Sequence, residues 1–108
     1  DKGKSFHLSP LKVTWARATD NTFPLIVLFS VSKRSHAQAT DRNKLKRLMR
    51  ECYRKNKKEM IIQLAEKNQN IQAAFFYTGK SLVAYNEMET AMKTCLKKLA
   101  DEVAAATA

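Results

Sequence analysis

The residues best suited to chemistry in this 108-residue chain are basic, and most of the excess positive charge lies in one quarter of it. Between residues 32 and 58, eleven Lys and Arg residues are opposed only by Asp41 and Glu51, so this segment carries +9 of the chain's net +10. Ammonium and guanidinium groups bind phosphate oxygens, and mutual repulsion at this density argues against a purely structural role. The segment therefore predicts a polyanionic partner, either nucleic acid or an anionic membrane surface.

Side chains that could carry catalysis or hold a metal are not grouped in the sequence. Cys52 and Cys95 have no second thiol at ligand spacing, and we interpret both as reduced core thiols. His7 and His36 have no ligand neighbours either, and we predict both at the surface, with His36 near phosphate. A two-metal nuclease needs several converging carboxylates, which the scattered acids do not supply. We therefore expect no catalytic centre, bound cofactor or small-molecule substrate for the chain alone.

The residue pattern of the basic segment predicts an amphipathic helix. Thr40 or Asp41 can cap its start. At 100° per residue one face is apolar, and an adjoining arc of about 120° is almost wholly cationic. Tyr53 lies at the border, where its ring could stack on a base or close the core, and both readings remain open. The apolar stripe loses phase after residue 58, which predicts a break near 56–59 and a short helix to about Lys67.

Three strands and one more helix are expected around this helix. Alternation over 9–19 predicts a half-buried strand, and the apolar run 23–32 predicts a central strand. The turn residues 19–22 between them favour an antiparallel hairpin. A third strand is expected over 71–78, followed by a helix over 86–104 that begins with a capping box of Asn86 and Glu89.

Length and hydropathy limit the protein class. One domain covering 1–108 is expected at this size. The longest uncharged stretches, 21–32 and 68–79, have 12 residues each, whereas a helix that spans a bilayer takes about 20. We therefore expect no membrane partner.

The central motif resembles the protein component of bacterial ribonuclease P. That family carries an Arg-Asn-Arg run that opens a helix, then Lys-Arg, Arg-Glu, and an aromatic residue with Arg. Here the corresponding positions are 42–44, 46–47, 50–51 and 53–54. Lys44 stands where Arg is usual, which keeps the charge but loses the planar two-point grip on phosphate.

The rest of the chain fits the same family order. Residues 3–6 resemble the family's Gly-Arg-Ser-Phe element before the first long strand, and 85–88 resemble the start of its last helix. The family's N-terminal helix, with the aromatic residues it contributes, is expected to be absent. The resemblance implies an α+β fold of the ribosomal protein S5 domain 2-like type. This is an α/β sandwich with a mixed central sheet and a left-handed strand–helix–strand crossover.

The resemblance also implies a function. The chain would be the non-catalytic protein subunit of a cytoplasmic bacterial endoribonuclease whose RNA removes the 5′ leader from precursor tRNA. It would bind that RNA, hold the leader in a cleft between the helix and the sheet, and help Mg²⁺ bind in the holoenzyme. The implied RNA-binding residues are Lys33, Arg34, Arg42, Asn43, Lys44, Lys46, Arg47, Arg50 and Arg54. The leader-cleft candidates are Lys46, Arg50, Tyr53 and Trp15.

Two other classes compete with this interpretation. A ribosomal or ribosome-assembly protein shares the small size and the basic helix, and co-purifying ribosomal RNA would identify it. A self-sufficient protein nuclease would cleave precursor tRNA alone, but the lack of clustered carboxylates argues against it.

Overall fold

The computed structural model describes residues 4–18 and 24–107, which form four strands and three helices. The predicted turn at 19–22, Phe23 and the glycine of the 3–6 element lie outside the described residues. The expected absence of the family's N-terminal helix stays a prediction. In chain order the elements are β1 (Lys4–Leu8), β2 (Leu11–Arg17), β3 (Leu25–Val31), α1 (Ala39–Asn56), α2 (Lys58–Glu66), β4 (Ile71–Tyr77) and α3 (Tyr85–Thr107).

The four strands form one mixed sheet in the order β1-β2-β4-β3. β2 pairs antiparallel with both β1 and β4, whereas β3 runs parallel to β4. The predicted α+β class and mixed sheet are confirmed, and α1 and α2 form the expected crossover between two parallel strands. The handedness of that crossover stays a prediction.

Two predictions about β3 are wrong. β4 lies between β2 and β3, so these two strands do not form a hairpin, and β3 is an edge strand rather than a central one. The apolar run led to the prediction of a central strand because its residues are apolar on both faces of the sheet. Leu25 and Val31 are buried, whereas Leu28 on the opposite face is 63% exposed.

The helices cover one face of the sheet. Alternate residues of β2 and β4 are buried there, including Val13, Trp15 and Phe75. α3 lies over β1 and β2, where the Trp15 indole donates to Glu102 Oε1 at 2.9 Å. α1 packs beside α3 and reaches the sheet over β3. This arrangement places α1 at the open edge of the sheet, with one long side free for a ligand.

The helix boundaries follow the predicted pattern, but the caps do not. α1 ends at Asn56 and α2 begins at Lys58, as the loss of phase predicted. The N-cap of α1 is Gln38, without a side-chain bond, so Thr40 and Asp41 lie inside the first turn and do not cap. Asp41 still stabilises the helix because its carboxylate lies near the positive end of the helix dipole. α3 begins at Tyr85, so the capping box predicted from Asn86 is also wrong.

Candidate nucleic-acid interface

A cationic face runs along α1 because its basic residues recur every three or four positions. Arg47, Arg50 and Arg54 are exposed on this face together with Asn43, and Lys46 beside them is half-buried. Lys33 and Arg34 are exposed in the loop that leads into α1. The structure thus brings most of the predicted RNA-binding residues onto one helix and its entry loop.

Arg42 has a different environment from the other basic residues. Its Nη1 donates to the carbonyl oxygens of His36 and Ala37, at 2.8 Å each. These contacts tie the first turn of α1 to the loop that carries Lys33 and Arg34. Arg42 therefore orders the start of the cationic face, whatever its remaining donors bind.

The prediction that His36 lies at the surface is wrong. The side chain is 6% exposed and its ring packs 5.7 Å from the Tyr77 ring. Its Nε2 lies 2.9 Å from the Gly79 carbonyl oxygen, which can only accept, so Nε2 is the donor. A lone His between Ser35 and Ala37 gave no signal of this burial, whereas His7 is exposed as predicted.

The segment after β4 fits closely under this loop. A Cβ on Gly79 would lie 2.6 Å from the Tyr77 hydroxyl oxygen, which only a residue without a side chain avoids. Tyr77 Oη in turn donates to the Ser81 carbonyl oxygen at 2.5 Å. The entry loop of α1 is therefore held on a well-packed support.

An open cleft of about 570 Å³ lies between α1 and the edge strand β3. Its sheet side is apolar, and its helix side carries four cations and one carboxylate. Phe29 and Tyr53 form its inner wall, with ring centroids 5.7 Å apart in an edge-to-face arrangement. Lys57 Nζ lies 5.6 Å from the centroid of the Tyr53 ring. The lining residues are Val27, Leu28, Phe29, Arg47, Arg50, Glu51, Tyr53, Arg54 and Lys57.

The ionisation states in the cleft follow from two contacts. Arg54 Nη2 lies 2.8 Å from Glu51 Oε1, and this hydrogen bond and charge lower the pKa of Glu51. Glu51 therefore stays a carboxylate that neutralises part of the Arg54 charge. Burial raises the pKa of Tyr53 to about 12, so its phenol is neutral at physiological pH.

Only two of the four predicted leader residues line the cleft. Arg50 and Tyr53 line it, and Lys46 lies on the same helix but outside the lining. Trp15 does not line the cleft, because this residue is 3% exposed under α3 and β4 separates its strand from β3. Phe29 and Lys57 were missed. Neither is among the site residues predicted from the sequence, and only the edge position of β3 shows that the Phe29 ring borders a cleft.

Three other kinds of feature are relevant in the part of the chain that the structure describes: metal sites, reactive thiols and membrane-spanning helices. No three His, Cys, Asp or Glu side chains come together there as a metal site. Both cysteines are free and buried, and burial raises the pKa of Cys95 to about 11. Among the described helices, none is long and apolar enough to cross a membrane.

Comparison with known proteins gives a consistent result. The family model for ribonuclease P matches residues 1–100. A ribonuclease P protein component from Porphyromonas gingivalis is 32% identical over 103 residues, which covers 94% of this chain and 75% of the relative. One from Chlorobium phaeobacteroides is 42% identical over 59 residues, covering 49% of this chain and 40% of the relative.

Solved structures show the same fold. The RNase P protein of Staphylococcus aureus aligns with a TM-score of 0.68 at 18% identity, covering 90% of this chain and 81% of that one. The RNase P protein of Thermotoga maritima aligns with a TM-score of 0.67 at 21% identity, covering 90% and 84%.

Proposed function

Because the chain belongs to the ribonuclease P protein family, we propose that its α1–β3 cleft holds the 5′ leader of precursor tRNA while α1 also binds the catalytic RNA. Proteins of this family are subunits of the endoribonuclease that removes the tRNA 5′ leader, in which RNA carries out the chemistry. An RNA partner follows from membership. The division of surfaces between that RNA and the leader is the proposal, as is a cytoplasmic location.

The cleft carries the proposal because it combines positive charge with aromatic surface. Arg47, Arg50, Arg54 and Lys57 can neutralise successive phosphates, and Phe29 and Tyr53 provide apolar surface beneath them. Single-stranded nucleic acid is bound in this way without base readout. Such a cleft suits leaders whose sequences differ between precursors.

We assign binding of the catalytic RNA to the start of α1. Asn43 and Lys44 are exposed beside Lys33 and Arg34, outside the cleft lining. Backbone N–H groups at a helix start also favour phosphate. We further propose that Mg²⁺ is bound by RNA in the holoenzyme, and that this chain aids its binding by drawing phosphates together rather than by ligating it.

Reconstitution with a bacterial ribonuclease P RNA tests the assignment. Binding of precursor tRNA and of mature tRNA is compared with and without the chain, at low Mg²⁺. The proposal predicts that the chain raises affinity for the precursor more than for the mature tRNA. It also predicts cleavage at Mg²⁺ concentrations where the RNA alone is inactive, and none by the chain alone. Equal effects on the two tRNAs would refute the leader assignment.

A further inference from the structure

A second groove adjoins the cleft on α1, on the side of the helix that faces the segment after β4, and Arg47 and Glu51 line both openings. It has a volume of about 280 Å³ and runs between α1 and the segment that joins β4 to α3. Its wall is apolar, and the three charged groups on it all come from α1. The wall is formed by Leu45, Leu48, Leu82, Val83 and Tyr85, and the charged residues are Lys44, Arg47 and Glu51.

Leu82 is the exposed part of this apolar wall. It is 48% exposed on a loop, although the other apolar residues of the groove are buried or half-buried. The Tyr85 ring is fixed nearby, because Lys55 Nζ lies 5.2 Å from its centroid and its hydroxyl donates to Glu89 Oε2 at 3.4 Å. The groove is therefore a preformed apolar slot open to solvent.

Charge is distributed unevenly along the slot. Lys44 and Arg47 lie at the end nearer the start of α1, whereas Glu51 is two turns from Lys44, about 10 Å along the axis. Glu51 is already bound to Arg54, so its charge is partly neutralised, and the pKa of its carboxyl is lowered. A ligand that fits has an anionic group at one end and a flat apolar body, with hydrogen-bond donors at its far edge.

We propose that this groove takes one unstacked nucleobase of the catalytic RNA, with the flanking phosphates on Lys44 and Arg47. A nucleobase has apolar faces, and proteins bind splayed-out bases of RNA between side chains in this way. Amino and imino groups at its edge can donate to the Glu51 carboxylate. Arg47 and Glu51 both line the two openings, so the slot is continuous with the cationic face. The inference rests on the proposal that α1 binds the catalytic RNA.

Charge favours RNA over a protein as the occupant. Lys44 and Arg47, the two cations of the groove, are exposed on α1 as Asn43 and the rest of the cationic face are. In addition, this chain has an RNA partner by family membership. A second protein or a second copy of the chain is the competing occupant, and the experiment below would reveal either.

Site-specific crosslinking can test the occupant directly. The chain has two cysteines, and both are buried, so a Leu82→Cys variant has one reactive thiol for a photo-crosslinker. Ile62→Cys is the matched control, because Ile62 is 46% exposed on α2. In holoenzyme reconstituted with a bacterial ribonuclease P RNA, we expect crosslinks from position 82 to one or two unpaired nucleotides, at least tenfold above the control. Crosslinks to protein, to base-paired RNA, or only at control level would overturn the proposal.

Affinity provides the second readout. Leu82→Ser should weaken binding to the same RNA about threefold to tenfold without changing the salt dependence, because an apolar contact releases no counterions. Ile62→Ser should leave affinity unchanged. Undiminished affinity of Leu82→Ser would refute the base slot while leaving the leader assignment intact, since leader-dependent affinity is measured separately with the two tRNAs.

Discussion

Arg42 and His36 are joined by a 2.8 Å hydrogen bond from the Arg42 guanidinium to the His36 carbonyl oxygen, while the His36 imidazole is buried against the segment after β4. Arg42 lies in the first turn of α1, and His36 anchors the loop that leads into this helix. Part-buried hydrogen bonds therefore hold the entry loop of α1 in place. One of them joins His36 to Gly79, which lies 43 residues further along the chain.

Replacing His36 should lower both stability and RNA affinity. His36→Phe keeps the ring but leaves the Gly79 carbonyl without its donor, and an unsatisfied buried group costs about 1–3 kcal/mol. Thermal unfolding and binding to ribonuclease P RNA are the measurements. His7→Phe is the control, because His7 is exposed and the partner of its ring nitrogen is the Thr78 hydroxyl group, at 2.9 Å on the surface. Its cost should stay within about 0.5 kcal/mol. Equal effects of the two changes would contradict the anchoring role.

Affinity for RNA should depend steeply on salt. If α1 and its entry loop neutralise about five phosphates, log affinity falls with log salt at a slope of roughly −3.5 to −4.5. Titrations between low and physiological salt measure this slope. Arg47→Ala should reduce the magnitude of the slope by about 0.7 to 0.9, the contribution of one phosphate contact. An affinity of the unaltered chain that does not depend on salt would disprove phosphate-dominated binding.

Stability should fall at alkaline pH because of buried acids that are neutral in the fold. Burial raises the pKa of Cys95 from 9.0 to about 11 and that of Tyr53 from 10.0 to about 12. The unfolded chain loses these protons at lower pH than the folded chain does. The free energy of unfolding therefore decreases as pH rises above about 9, and it stops decreasing once pH exceeds the pKa values of the folded state. Chemical denaturation at pH 8 and pH 10.5 measures the loss. Cys95→Ala should reduce the difference between the two pH values, and an unchanged difference would show that Cys95 does not contribute.

Periodicity in the sequence predicted the helices well, because α1, α2 and α3 each have a continuous apolar stripe facing one core. It failed for β3, since a strand that is apolar on both faces looks the same at an edge as in the centre. It also failed for residues whose partners are distant in the chain. His36 meets Gly79, and Trp15 meets Glu102. Arg50 and Tyr53 were found because one helix carries both of them to the cleft.

The measurement that tests the leader assignment most directly is the leader-dependent affinity of holoenzyme carrying Arg50→Ala. Arg50 lines the cleft, whereas Arg17 is an exposed arginine at the end of β2, two strands from β3. We expect Arg50→Ala to weaken precursor-tRNA binding about tenfold, near the lower end of the about 1.5–3 kcal/mol that a hydrogen bond to a charged group contributes. Mature-tRNA binding by this variant, and both affinities of Arg17→Ala, should stay near the unaltered values. Equal losses for precursor and mature tRNA with Arg50→Ala would contradict a leader-binding cleft between α1 and β3.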